Sequence, residues 1–113
     1  MKTFQRGQIW LVNFDPSFGH EYKKIRPGLI VQNNEYIRLS QVLTIIPITS
    51  KIAKKTKLDI LIKKDSENRL MKNSLIKIKQ ISSFDKRRFL KHIGNVNENI
   101  LEQVADNICL FLI

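Results

Sequence analysis

Apolar and polar positions fall in short runs and alternations through most of this chain, and they take up a helical period only at its end. "QIWLVNF" and "GLIVQN" are apolar runs bounded by Gly, Asp-Pro and Asn-Asn, which suits short strands covered on both faces better than helices. "QVLTIIPIT" is similar, and Pro47 has no N–H to give a ladder, so the strand is expected to end or turn to an edge there. In "TKLDILIK", Leu58, Ile60 and Ile62 share one face while Lys57, Asp59 and Lys63 share the other, as in a half-exposed strand. "KKDSENRLMKN" reads as a polar hairpin connection. Alternation then resumes in "SLIKIKQI", with Ile76 and Ile78 opposite Lys77 and Lys79, which makes five expected strands.

"DKRRFLKHIG" predicts a short helical stretch capped by Ser83 or Asp85 and ended by Gly94. From Asn97 onward, Leu101, Val104, Ile108 and Leu112 recur at helical spacing while Glu98, Glu102, Gln103 and Asp106 occupy other faces. Short strands followed by a terminal helix predict an α+β, mainly β fold: one domain over residues 1–113, a small bent sheet or barrel with the helix packed against it.

Composition narrows the class of function. The chain has 113 residues, enough for one core, and 42% of them are hydrophobic, which excludes a disordered composition. Twenty Lys and Arg against ten Asp and Glu give a formal charge of +10, so a polyanionic partner is expected. Every Lys and Arg lies at or before Lys91, which assigns the basic field to the main body. The lone Cys109 forms no internal disulfide, and its neighbours Ile108 and Leu110 suggest a buried thiol and a cytoplasmic setting. No stretch approaches the roughly 20 apolar residues of a bilayer span.

Candidate chemistry collects in "DPSFGHEYKKIRP", read as a loop between the first two strands. Arg26 precedes a proline, which restricts its backbone to extended geometry and aims its guanidinium. That planar fork suits phosphodiester oxygens and stabilises charge that builds up in a phosphorane-like transition state. In "PITSK", Thr49, Ser50 and Lys51 end a strand with two hydroxyls and a cation, groups that either hold a phosphate or simply close the strand. Two readings stay open for His20, an acid, base or stacking partner on one side and a solvated loop residue on the other. Phe18 and Tyr22 are candidates to stack on unpaired bases, with the alternative that Phe18 plugs the barrel mouth. Lys54, Lys55 and Lys57 are an RNA guide or a solvated loop, Trp10 reads as core, and His92 as structural.

In order and spacing, "GQIWLVNFDPSFGHEYKKIRPGLIVQN", "IIPITSK" and "QISSFDKRRF" resemble the PemK/MazF family of toxins from bacterial toxin–antitoxin pairs. The G-x-E-(spacer)-R-P loop is met as Gly19, Glu21, Arg26 and Pro27, and the T-S pair as Thr49 and Ser50. The resemblance implies an SH3-like small β-barrel with a C-terminal helix, a homodimer, and a metal-independent endoribonuclease that needs no cofactor and cuts single-stranded mRNA at short sequences. It also implies a cognate acidic antitoxin and no membrane partner. Carried over, Arg26 and Thr49 are the central catalytic pair, and Glu21 is a supporting carboxylate. Gln80 borders the RNA groove, where His20, Phe18, Lys24, Ser50 and Lys51 are further RNA-binding candidates. RNA supplies its own 2′-hydroxyl nucleophile, so an acceptor, a donor and charge stabilisation suffice, with a 2′,3′-cyclic phosphate as product.

Two departures stand out. His20 occupies a place where relatives commonly have a small polar residue, and Ser82 follows "QI" where they commonly have arginine. Lys79, Arg87 and Lys24 are the candidate replacements. Ser82 favours an alternative in the same fold, a non-catalytic binding module or gyrase-poisoning relative; a general basic nucleic-acid binder is the third reading.

Overall fold

The computed structural model describes residues 2–14 and 25–113. Its strands are β1 (Gln8–Asn13), β2 (Ile25–Ile30), β3 (Val42–Thr49), β4 (Ile60–Ile62), β5 (Ser74–Ile76), β6 (Ser82–Asp85) and β7 (Phe89–Asn95). A short helix α1 (Asn34–Ile37) follows β2, and α2 (Glu98–Leu112) closes the chain. The sheet runs β4-β5-β3-β2-β1-β7 with antiparallel neighbours, and β6 pairs the β3 edge as well.

The apolar runs are strands because each buries both faces. Along β1, Ile9 enters one core cluster and Trp10 and Val12 the other; along β2, Leu29 and Ile30 divide in the same way; along β3, Leu43 and Ile45 oppose Ile46 and Ile48. Helix α2 covers the first cluster through Val104, with Ile100 and Ile108 against it. Its N-terminus follows the expected signal, the Asn97 side chain accepting the Ile100 N–H at 2.9 Å. The second cluster is closed by Phe89, Ile37 and the rings of Phe4, Phe14 and Phe84.

Several expectations are corrected. Strand β3 continues through Pro47 to Thr49. Its outer edge pairs β6 at Val42–Ile45 and β5 at Ile48–Thr49, so the proline falls in the gap between two partners where no N–H is required. The expected helix in "DKRRFLKHIG" is one three-residue 3-10 turn, Lys86–Arg88, followed by β7. Asp85 does cap that turn, accepting the Arg87 N–H at 2.8 Å, but pairing with β1 prevails over helix because it buries Phe89 completely. Gly94 lies inside β7, where a Cβ would stand 2.3 Å from the Asn68 carbonyl oxygen. The barrel is incompletely closed: among the described residues no ladder joins β6 to β7.

Asp59, expected on the solvent face, is buried, and its Oδ2 takes the Lys77 Nζ at 2.9 Å and the Thr56 N–H at 2.8 Å. Cys109 is exposed rather than buried, as are Leu110 to Ile113, because the last turn of α2 runs beyond the sheet. Among the described residues no helix is long and apolar enough to cross a membrane.

Candidate functional site

Arg26 and Pro27 belong to β2 itself and not to the connection before it. In the β1–β2 ladder Val12 faces Arg26, and in the β2–β3 ladder Gly28 faces Pro47. The β2–β3 ladder ends at that pair, and Arg26 lies two residues before Gly28 on β2 while Thr49 lies two residues after Pro47 on β3, so both fall beyond the same end of it. Arg26, exposed, and Thr49, half-buried, therefore stand at the same end of neighbouring strands, with Val12 paired to Arg26 on its other side. Gly28 gives the row its close packing, since a Cβ there would meet Ile45 Cδ1 at 3.0 Å and Val12 Cγ2 at 3.3 Å.

Thr49 also ends its strand. Its Oγ1 accepts the Lys51 N–H at 3.2 Å, which leaves its own proton to donate. Lys51 is exposed beside it. Ser50, by alternation, turns to the other face, where it lines a cavity of about 430 Å3 with Leu11, Pro27 and Ile48. Gln80 is exposed at the end of the 3-10 turn Ile78–Gln80, held near β3 because the preceding Lys77 N–H donates to the Pro47 carbonyl at 3.0 Å. Phe18, His20, Glu21, Tyr22 and Lys24 lie outside the described residues.

Ser82 sits opposite Ile45, its hydroxyl donating to the Gln80 carbonyl at 2.9 Å. Of the candidate replacements for an arginine there, Lys79 is exposed, while Arg87 is engaged by Asp85 through two contacts, 3.0 and 3.1 Å. Hydrogen bonding from the Arg87 side chain and N–H, with the arginine's charge, holds the half-buried Asp85 carboxyl below the usual carboxylate range. A cation that sequence reasoning passed over is Arg88, whose Nη1 donates to the Asn13 carbonyl at 3.1 Å and whose guanidinium lies 6.0 Å from the Phe84 ring centroid. Asn13 is the partner of Ile25, so Arg88 is anchored one residue from the Arg26 row. The run "DKRRF" was the available signal, read instead as a helix. His92 is stacked on Trp10, ring centroids 5.6 Å apart, and bonds the Gly94 carbonyl at 2.9 Å, the structural role expected of it.

The fold and site define a small antiparallel sheet with a terminal helix, with an arginine and a threonine at one end of neighbouring strands. Residues 5–112 match the profile of PemK-like, MazF-like toxins of type II toxin–antitoxin systems. The chain is 33% identical over 113 residues to the endoribonuclease MazF9 of Mycobacterium tuberculosis, covering 96% of this chain and 95% of that protein. MazF of Deinococcus radiodurans superposes with a TM-score of 0.79 at 20% identity, covering 99% of this chain and 98% of that one. A mycobacterial endoribonuclease solved with its cognate antitoxin gives a TM-score of 0.75 at 18% identity, with 98% of each chain covered. This chain belongs to the PemK/MazF toxin family of type II toxin–antitoxin systems.

Proposed function

We propose that this protein is the toxin of such a pair, an endoribonuclease that cuts single-stranded mRNA by attack of the 2′-hydroxyl on the neighbouring phosphodiester. The observation that supports the reading is that Arg26 and Thr49 lie beyond the same end of the β2–β3 ladder in a chain of this family. As the 2′-oxygen bonds to phosphorus and loses its proton, negative charge builds on the non-bridging oxygens. Arg26 meets that charge and Thr49 donates to one of those oxygens. The bond to the 5′-oxygen then breaks, that oxygen takes up a proton, and the products are a 2′,3′-cyclic phosphate and a 5′-hydroxyl. Glu21 takes the first proton or orients Arg26. His20, Phe18, Lys24, Lys51 and Gln80 bind the strand, whereas Ser50 lines the cavity on the other face, and the chemistry asks for no metal.

The partners follow from the family and from charge. An acidic antitoxin segment that folds on binding suits a body of net charge +10. The exposed apolar end of α2 supports a homodimer, and the setting is cytoplasmic. Ser82, with its hydroxyl turned to the Gln80 carbonyl, favours a second reading in which the face binds without cutting. Incubating the purified protein with mixed RNA in EDTA separates the two. Fragments with cyclic phosphate ends, abolished by a 2′-deoxy substitution at the cut site, are expected; intact RNA that is nonetheless bound would establish the second.

A further inference from the structure

A second concave, cationic site lies where the N-terminal segment meets α1 and the β6–β7 turn. Lys2, Phe4, Arg38 and Lys86 enclose a cavity of about 500 Å3, and no carboxylate among the described residues lines it. Its cations are set in place. Lys86 Nζ donates to the Ile37 carbonyl at 2.6 Å and lies 5.8 Å from the Phe4 ring centroid, and Lys2 Nζ donates to the Phe89 carbonyl. Phe4 is itself fixed by the core, with ring centroids 4.7 Å from Trp10 and 5.4 Å from Phe89. An ammonium has three protons to donate. Each lysine thus keeps donors for an outside acceptor, and Arg38, exposed at the end of α1, adds a third charge. Like charges around a hollow repel one another unless an anion occupies it.

We propose that this cavity binds phosphodiester groups of the RNA strand beyond the cut bond, a backbone subsite that extends the footprint. Phe89 pairs with Val12, and Val12 with Arg26. At roughly 4.8 Å per strand spacing, the Phe89 carbonyl that anchors Lys2 is about 10 Å across the sheet from the Arg26 backbone. A strand of RNA spans that interval. The remaining lining residues include Thr3, Gln5 and Asn34, and the one ring, Phe4, has Lys86 over it, so the site reads backbone charge and not base identity.

The inference rests on RNA being the substrate, and its test keeps the two apart. Cleavage is measured for two RNAs with the same cut site, one trimmed to the flanking nucleotides and one extended well beyond them, with the full chain and with Arg38→Glu and Lys86→Met. A single-strand phosphate contact changes the slope of log K against log salt by about 0.7, which is about fivefold at 0.1 M relative to 1 M salt. Each variant is expected to raise KM for the long RNA about fivefold, to flatten its salt slope by about 0.7, and to leave kcat and the short RNA unchanged. An unaltered KM for the long RNA, or equal weakening of both RNAs, overturns the subsite. Saturable binding of inorganic phosphate that the variants abolish, without any effect on long RNA, assigns the cavity to a free anion and also overturns it. If the unaltered protein cuts neither RNA, the reading of Arg26 and Thr49 has failed, and fluorescence anisotropy with the same two RNAs decides the subsite by the same differences.

Discussion

Replacing Lys77 by methionine isolates what allows a carboxylate to stay ionised inside this fold. Asp59 is 3% exposed, Oδ2 holds both its contacts, and Oδ1 has no hydrogen-bond partner among the described residues. Methionine keeps the stem and removes the charge, leaving the carboxylate with the Thr56 N–H alone. Removing one partner of a fully buried pair costs about 3–5 kcal/mol. The Lys77 side chain is 18% exposed, so water screens part of the interaction, and we expect about 2–3 kcal/mol. The double variant Asp59→Asn/Lys77→Met removes both charges and keeps an acceptor for Thr56, so it should lie within about 1 kcal/mol of the unaltered protein. Urea unfolding followed by Trp10 fluorescence measures all of these.

The pH dependence of the same pair has a definite sign. Burial alone pushes the Asp59 carboxyl up, but the Thr56 N–H and Lys77 outweigh it and hold the group below its ordinary value of 3.8. A depressed folded value means stability that is present above the unfolded pKa and is lost as pH falls through the folded one. In Lys77→Met the buried carboxylate is relieved by protonation, so the gap from the unaltered protein should narrow as pH drops through the carboxylate range. Refutation would be a Lys77→Met protein as stable as its parent at neutral pH, or a double variant no more stable than the single.

Further outcomes follow from packing. Gly94→Ala drives a Cβ against the Asn68 and Glu67 carbonyl oxygens, at 2.3 and 2.7 Å, in a turn pinned by the Asp65 and Asn68 side chains; it should cost about 3 kcal/mol, and an unchanged Tm would contradict that. Phe89→Ala empties the fully buried centre of the second cluster and should cost about 3–5 kcal/mol in denaturant unfolding, whereas a loss under 1 kcal/mol would show that the seam collapses freely. Cys109 is exposed on the single chain, so at dilutions below dimer formation the folded protein should react with Ellman's reagent as quickly as the unfolded chain; a requirement for denaturant there would restore the buried thiol.

Runs of apolar residues made β1, β2, β3 and α2 legible, because their burial on both faces or along one stripe is written in local order. What the sequence concealed was non-local. Asp59 alternates with Ile60 as a solvent-facing residue would, but the Thr56 N–H and Lys77, 18 positions away, hold it inside. The cap, charge run and glycine of "DKRRFLKHIG" signal a helix locally, yet β1 offers a better burial for Phe89. At the site, residue type was readable and proximity was not. Arg26 and Thr49 are 23 positions apart, and it is the antiparallel pairing of β2 with β3 that brings them to the same end of the sheet. Arg88 was missed because its place beside Asn13 depends on a strand that local signals disguised.

If the Arg26 guanidinium stabilises charge in strand scission, the single-turnover cleavage rate of Arg26→Ala in EDTA reads that contribution. Loss of one preorganised donor to a developing oxyanion predicts a fall of about 10²–10³-fold with an unchanged circular dichroism spectrum, since the side chain is exposed and carries no part of the core. A rate within about threefold of the parent, well under one donor's worth, would contradict the account.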